Sequence, residues 1–339
     1  MTTLTRRPLR RLTGMILVVS ALLMITATGA GADGVGPTNY RSEIRTVTPP
    51  TKGVEFKVIG SDAFLEVRAQ PGVRVQIPGY DGEPYLKIDA NSSVWRNRNS
   101  AATYVNESRS GRGGIPDNLE TEPDWQRVGS DGVVAWHDHR IHWMTDEVPA
   151  TDRSGLVSEW TIPIVVNGVE TTVTGGLYRS SNIVPWPFVI AMILAVATFL
   201  LARRQVPRVV PLAVLIGSIA AVMATLAVRS VDPPGSGASS VPLALSVLAV
   251  ACSALSFLPV KRPPIFHLAV TLGAGALLLG WMIGSIGAFW MPYVPSLGPN
   301  ALTRMLVATT LGLAVGTIVT VLVDPRSVDP NPPEPRATG

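Results

Sequence analysis

Five apolar runs in the second half of the chain are each close to the length that crosses a membrane. A bilayer core of about 30 Å needs roughly 20 helical residues to cross it, and lipid forces every backbone polar group to be bonded internally. The pattern therefore predicts an α-helical bundle of five transmembrane helices within residues 183–324. The runs occupy residues 185–202, 209–228, 241–259, 265–289 and 303–323.

Basic residues between these runs predict the orientation of the chain. Arg203, Arg204 and Arg208 separate the first two runs, and Lys261 and Arg262 separate the third and fourth. Because connections rich in Lys and Arg stay in the cytoplasm, five crossings leave everything before the first run outside. The Pro-rich C-terminal tail, residues 325–339, is then expected to be disordered and cytoplasmic.

The N-terminus has the pattern of an export signal. Four arginines within the first eleven residues precede an apolar stretch over 12–27 and the sequence Ala30-Gly31-Ala32. A basic start, a short apolar stretch and an A-x-A site are typical of a secretory signal peptide. We expect residues 1–32 to be a signal peptide cleaved after Ala32, or alternatively an uncleaved signal anchor. Either leaves residues 33–182 extracytoplasmic.

The distribution of charge argues against a nucleic-acid partner. Residues 33–182 contain 15 Lys and Arg against 20 Asp and Glu, so the basic excess of the chain lies elsewhere. It lies at the N-terminus and in the short connections between apolar runs, where positive charge acts as a topology signal. The expected partners are the lipid bilayer and a protein in or at the membrane.

The outer segment has the pattern of an all-β domain. Apolar and polar residues alternate over 54–59, 64–69, 73–77 and 160–166, and Asn167-Gly168 is typical of a tight hairpin. Several short strands at this spacing predict an antiparallel β-sandwich. Residues 99–131 are expected to form a long loop, and residues 80–86 a turn with solvated acids. The single cysteine, Cys252, lies in an apolar run, so no disulfide joins this domain.

Three of the four histidines of the protein fall within six residues of this domain, as His137, His139 and His142. Imidazole is the side chain most often used for metal ligation and for proton transfer near neutral pH. If the strand beginning at Val133 continues through the cluster, His137 and His139 share a face about 7 Å apart. His142 then lies on the other face.

Three interpretations of this cluster stay open. His137 and His139, with His142 joining them after a bulge, could bind copper or zinc, since imidazole suits both metals. The histidines could instead have a structural or partner-binding role through hydrogen bonds to backbone carbonyls. Catalysis is a third interpretation, but no serine nucleophile motif accompanies them.

Two resemblances bear on this domain. The segment 136–144, with Trp160, Asn167-Gly168 and 175–178, resembles a family of actinobacterial membrane proteins with an extracytoplasmic β-domain, over roughly residues 33–325. The last strands are also similar to CopC-type periplasmic copper-binding domains, a likeness that implies copper binding. Such domains have an aspartate-glycine-histidine turn, whereas this chain has Asn167-Gly168 there and no histidine near Asp33.

The leading hypothesis is a membrane-anchored extracytoplasmic binding or assembly protein without enzymatic activity. The alternative is a copper- or zinc-binding accessory protein centred on the histidine cluster. A transporter component is a second alternative. None of the apolar runs has an Asp, Glu, Lys or Arg near its centre, and ion and proton paths through membranes usually contain such residues.

Overall fold

The computed structural model describes residues 34–107, 109, 114–145, 147–206, 208–258 and 263–328. They fall into two compact units. The β unit contains residues up to 182 together with the segment 231–238, and the helical unit contains 183–230 and the residues after 238. The predicted signal peptide, and the tail after Val328, lie outside the described residues.

Antiparallel strands form two sheets in the β unit. The larger sheet has the order β1-β10-β9-β4-β5-β6-β7, and the smaller has the order β2-β3-β8. One short helix, α1 (Ala101–Val105), follows β6. The strands are β1 (Tyr40–Thr48), β2 (Val54–Ile59), β3 (Phe64–Ala69), β4 (Val75–Pro78), β5 (Pro84–Ile88), β6 (Val94–Asn97), β7 (Trp125–Gly129), β8 (Val133–Trp136), β9 (Leu156–Val166) and β10 (Val169–Arg179).

One hydrophobic core is shared by the two sheets. Leu65 and Trp136 of the smaller sheet pack in the same buried cluster as Ile77, Ile162 and Val173 of the larger one. In strands, alternate residues point to one face, so the apolar positions that alternate in the sequence all enter this core. The predicted all-β character of the domain is confirmed.

The best local predictions concern strands that combine alternation with a clear turn. The bounds of β2 and β3 are those predicted, and β9 and β10 form the expected hairpin, with Val166 opposite Val169. Asn167 and Gly168 both have positive φ, +49° and +82°. A two-residue turn of this kind matches the right-handed twist of the strands that it joins.

Residues 80–131 contain more structure than the sequence predicted. The predicted loop over 99–131 includes α1 and β7, and the predicted turn over 80–86 runs into β5. Glu83, expected to be a solvated acid, accepts a hydrogen bond from Ser100 Oγ at 2.6 Å beside the start of α1. These short elements are stabilised by contacts distant in sequence, which local periodicity does not record.

Among the described residues, the helical unit contains five apolar helices. They are α2 (Trp186–Arg203), α3 (Val209–Arg229), α4 (Val241–Ala254), α5 (Pro264–Ser285) and α6 (Asn300–Val323), with 3-10 turns at Leu255–Phe257, Ile286–Phe289 and Pro325–Val328. Four of them, α2, α3, α6 and α5 with the turn that follows it, are long and apolar enough to cross a membrane. The stretch from Val241 to Phe257 is shorter.

Two glycines allow a close contact between α2 and α6. A Cβ atom added to Gly312 or Gly316 of α6 would lie 2.5 Å from Ala191 O or 2.8 Å from Ala195 O of α2. The backbones of α2 and α6 can approach this closely because both positions lack a side chain. Gly280 and Gly284 of α5 have the same spacing but differ, since a Cβ at Gly284 would meet no atom within 4 Å.

The segment after α3 is part of the β unit although it lies between two helices in the sequence. The carboxylate of Asp232 accepts a hydrogen bond from Val35 N–H at 2.7 Å. Val231 packs against a small cluster that includes Val35 and Phe64. The start of the β unit is therefore held in place by a segment that lies 197 positions later in the chain.

At the other end of the helical unit, the chain stays structured beyond α6. The predicted disordered tail began at residue 325, whereas Pro325–Val328 forms a 3-10 turn. Val328 is buried against Val210 and Val321, and this apolar contact extends the helical unit by one turn.

Candidate functional site

The histidine turn, residues 137–142, begins where β8 ends. The predicted extended strand through these residues was wrong, because β8 stops at Trp136 and the chain turns at His139 and Arg140. Ile141 N–H donates a hydrogen bond to Asp138 O at 3.0 Å, which closes the turn. The predicted placement of His137 and His139 on one face of a strand and His142 on the other therefore does not apply.

The buried carboxylate of Asp138 organises this turn. Its Oδ1 accepts hydrogen bonds from Arg140 N at 3.0 Å and Arg140 Nε at 2.8 Å. Its Oδ2 accepts bonds from Arg140 Nη2 at 2.6 Å and Trp136 Nε1 at 2.9 Å. Asp side chains that bond the backbone two residues later favour turns over extended strand. Asp138 thus ends the strand and neutralises Arg140.

The turn brings the three imidazoles together with His142 in the middle. The ring centroid of His142 lies 5.2 Å from that of His139 and 6.5 Å from that of His137, and both pairs meet edge to face. The prediction paired His137 with His139 and set His142 apart. The structure instead makes His142 the neighbour of both.

Two of the imidazoles are fixed to backbone carbonyls. His137 is buried, stacks on Phe64 with ring centroids 3.9 Å apart, and contacts Ala63 O through Nδ1 at 2.7 Å. His142 contacts Arg109 O through Nε2 at 2.7 Å. Because a carbonyl only accepts, the proton must be on Nδ1 of His137 and on Nε2 of His142. The two side chains hold the turn to two other loops.

His142 is a neutral base at physiological pH. Burial, reinforced by the nearby Arg109 guanidinium, lowers the pKa of His142 from 6.5 to about 4. Since Nε2 carries the proton, Nδ1 has a lone pair, and this buried atom has no hydrogen-bond partner among the described residues. Of the two ring nitrogens of His142, Nε2 bonds a backbone carbonyl and Nδ1 makes no hydrogen bond to the described residues.

A buried ion pair supports the loop that His142 contacts. Arg109 Nη2 lies 2.6 Å from Asp62 Oδ2, and the Asp62 side chain is completely buried. Burial raises the pKa of Asp62, while the Arg109 guanidinium opposes this shift. Removing one partner of such a pair leaves a buried charge and is strongly destabilising. The contact joins the loop before β3 to the chain after α1.

Tyr80 is a member of the site that the sequence did not predict. Its hydroxyl donates to Asn106 Oδ1 at 2.6 Å and accepts from His139 N–H at 3.0 Å. The Arg140 guanidinium lies 5.0 Å from the centre of its ring, a cation–π arrangement. Burial raises the pKa of Tyr80, so the phenol stays protonated. No local pattern links Tyr80 to a turn 59 residues later.

The ligand geometry for a three-residue metal site is not found. Among the residues that the structure describes, no group of three or more His, Cys, Asp or Glu side chains could hold a metal ion. One nitrogen of His137 and one of His142 already bond backbone carbonyls and cannot also bind a metal ion, which explains part of this absence. A two-residue arrangement would pair the unbonded Nδ1 of His142 with the neighbouring His139 ring.

In the helical unit, Arg304 is buried rather than part of an exposed connection. Its guanidinium donates to Ala288 O, to Met291 O at 2.6 Å and to Pro292 O at 2.9 Å. These carbonyls follow the end of α5, where backbone acceptors lack helical partners. Arg304 therefore ties the start of α6 to the chain before it, a structural role that does not require a transported ion.

The chain was compared with protein-family models, curated proteins and solved structures. None of them matches it.

Proposed function

We propose that the protein is a multi-pass cell-membrane protein that presents residues 33–182 outside the cytoplasm for binding or assembly, without enzymatic activity. The observation that carries this proposal is the bonding of the histidine turn. His137 and His142 each donate a ring N–H to a backbone carbonyl. The carboxylate oxygens of Asp138 accept hydrogen bonds from Arg140 and Trp136. Side chains used in this way build a rigid turn rather than a proton-transfer chain.

Five membrane crossings are part of this proposal. The stretch Val241–Phe257 contains 14 α-helical and 3 3-10 residues, or roughly 25 Å at about 1.5 Å per residue. A short span of this kind is accommodated by local thinning of the bilayer. Because the segment 231–238 packs within the β unit, it shares that unit's side of the membrane, while the basic connection at 203–208 takes the cytoplasmic side.

Cysteine labelling tests the topology. In a Cys252→Ser background, single cysteines at Glu120, Ser240 and Gln205 report on the β unit, the α3–α4 connection and the α2–α3 connection, all exposed positions. We expect a membrane-impermeant maleimide to label Glu120→Cys and Ser240→Cys in intact cells. Gln205→Cys should react only after permeabilisation. Labelling of Gln205→Cys in intact cells would overturn the proposed orientation.

Copper or zinc binding is a second candidate, favoured by one observation. The buried Nδ1 of His142 has a free lone pair, and the His139 ring lies 5.2 Å away. Neutral imidazole binds both metals, so these two side chains with water could hold an ion weakly. The similarity of the last strands to CopC-type domains agrees with this second candidate but does not supply further ligands.

Metal titration of the purified full-length protein separates the two candidates. Cu(II) and Zn(II) are added to the wild type and to His139→Ala, whose side chain is half-buried and leaves the His137 and His142 bonds in place. Micromolar binding that is lost in His139→Ala would support a metal site. Millimolar binding that is equal in both proteins would reject it and leave the binding or assembly role.

A further inference from the structure

A cavity of about 640 Å³ lies in the β unit beside the histidine turn. It lies between β5, β6 and β7 of the larger sheet and β8 of the smaller sheet. Phe64, Leu86, Val94 and Trp136 give it apolar walls, and Arg96 is its cationic lining residue. Sites for small organic ligands have this size and this combination of apolar walls with a few polar groups.

Arg96 is the unusual member of the lining. Its side chain is half-buried, and among the described residues no carboxylate forms an ion pair with its guanidinium. Arg98 and Arg140, in contrast, pair with Asp124 and Asp138. A partly buried guanidinium without a paired anion costs free energy, and a carboxylate ligand that pairs with it would recover that cost.

The charges around the cavity favour a singly charged acid over a doubly charged one. Glu107 and Asp131 also line it, but both are exposed, and Asp131 Oδ1 already accepts a bond from Val133 N–H. His137 lines it as well, with Nδ1 bonded to Ala63 O. A guanidinium matches the planar carboxylate group well. The two solvated acids would disfavour a doubly charged phosphate more than a carboxylate.

One wall of the cavity is backbone from the segment 231–238. Gly235 and Gly237 line it with positive φ values of +78° and +70°, a conformation that favours glycine. Asp232 holds this segment in place through Val35 N–H. A ligand in the cavity would touch the stretch of chain that connects α3 to α4.

We propose that this cavity binds a small apolar carboxylic acid, with the carboxylate on Arg96 and the apolar body against Phe64, Leu86, Val94 and Trp136. This deepens the binding role proposed above and rests on it. The ligand is defined by its chemistry: one carboxylate, no second charge, and an apolar or aromatic body small enough for the cavity.

Ligand-observed NMR on the full-length protein in lipid nanodiscs tests the proposal. The probes are 3-phenylpropionate, its neutral amide and the matching amine, with empty nanodiscs as the control for partition into lipid. We expect the acid to bind at least tenfold more tightly than the amide or the amine. Arg96→Met should bind the acid at least tenfold more weakly than the wild type. Arg98→Met, which changes a neighbouring exposed arginine, should bind the acid as tightly as the wild type does.

A second variant keeps the test decisive if Arg96→Met is poorly folded. Ser236→Phe places a large side chain at the cavity wall and should weaken binding of the acid and of the amide alike. Equal binding of acid and amide, binding unaffected by both variants, or no binding above empty nanodiscs would overturn the cavity proposal. If the cysteine-labelling pattern holds in that case, the proposed membrane topology stands and the cavity proposal alone has failed.

Discussion

Asp138 determines the shape of the histidine turn more than any histidine does. Its carboxylate accepts four hydrogen bonds, including one from the buried Trp136 indole. We expect Asp138→Ala to destabilise the β unit by about 3–5 kcal/mol, because it leaves Arg140 and Trp136 without their acceptor. Denaturant unfolding followed by tryptophan fluorescence measures this change.

Asp152→Ala is a matched control for that substitution. Asp152 also bonds the chain that follows it, through Ser154 N–H and Leu156 N–H, but it is exposed. A much smaller loss than for Asp138→Ala is expected there, since water can replace the bonds. Equal losses for the two variants would contradict the role assigned to Asp138.

His142 makes the stability of the β unit depend on pH. The unfolded imidazole takes up a proton near its ordinary pKa of 6.5, whereas the folded one does so near its pKa of about 4. The folded state binds fewer protons between these values, so it loses stability as the pH falls through this window. Between pH 7 and pH 5 the loss is about 2 kcal/mol.

This effect is isolated by comparing how steeply the free energy of unfolding changes with pH, rather than the free energies themselves. His142→Gln should lack the His142 contribution to the pH dependence, whereas His139→Gln should retain it. Asp62, whose pKa is raised by burial, contributes the opposite slope to all three proteins. Parallel curves for the wild type and His142→Gln would refute the assignment.

The sequence located the candidate site but not its geometry. Three histidines in six residues were enough to single out the segment, and a strand beginning at Val133 was expected, but its end at Trp136 was not. The turn depends on Asp138 being buried, which local pattern does not reveal. Tyr80, Arg109 and Asn106 come from loops distant in sequence, so their contacts required the tertiary structure.

The close contact between α2 and α6 gives a test at the level of helices. Gly312→Ala places a methyl group against the Ala191 backbone, and we expect it to destabilise the helical unit by about 1–3 kcal/mol. Gly284→Ala is the matched control, because a methyl group there meets open space. Thermal unfolding in detergent measures both, and a control that loses as much as Gly312→Ala would refute the packing argument.

The success of prediction differed among the elements for a physical reason. The apolar runs predicted the helices well, because crossing a bilayer sets both length and composition. β2, β3 and the β9–β10 hairpin were recognisable since alternation and turn residues coincide there. β1, β5, β6 and β7 were missed. Each is stabilised mainly by its neighbours in the larger sheet, and such pairing is not visible in the local sequence pattern.

For the whole molecule, the boundary at residue 182 does not separate an independent β domain from the rest. Val35 N–H finds its acceptor on Asp232, and Phe64 packs in the cluster that includes Val231. We expect a fragment of residues 34–182 to melt about 5 °C below the β unit of the full chain, because these contacts are missing. Addition of a synthetic peptide of residues 229–240 should restore part of the loss.

A peptide with Asp232 replaced by alanine is the control for that experiment, and it should restore less. A fragment as stable as the β unit of the full chain, with or without peptide, would contradict the expectation. Circular dichroism at increasing temperature gives the midpoints.

The position of the segment 231–238 also has a consequence for the order in which the protein is made. A ribosome completes residues 34–182 well before it reaches Asp232, and two apolar helices are synthesised in between. Until the chain has passed α3, Val35 lacks its acceptor and the cluster around Phe64 lacks Val231. The last contacts of the β unit therefore form only after α2 and α3 have been synthesised, so completion of this unit depends on translation of the first two helices of the helical unit.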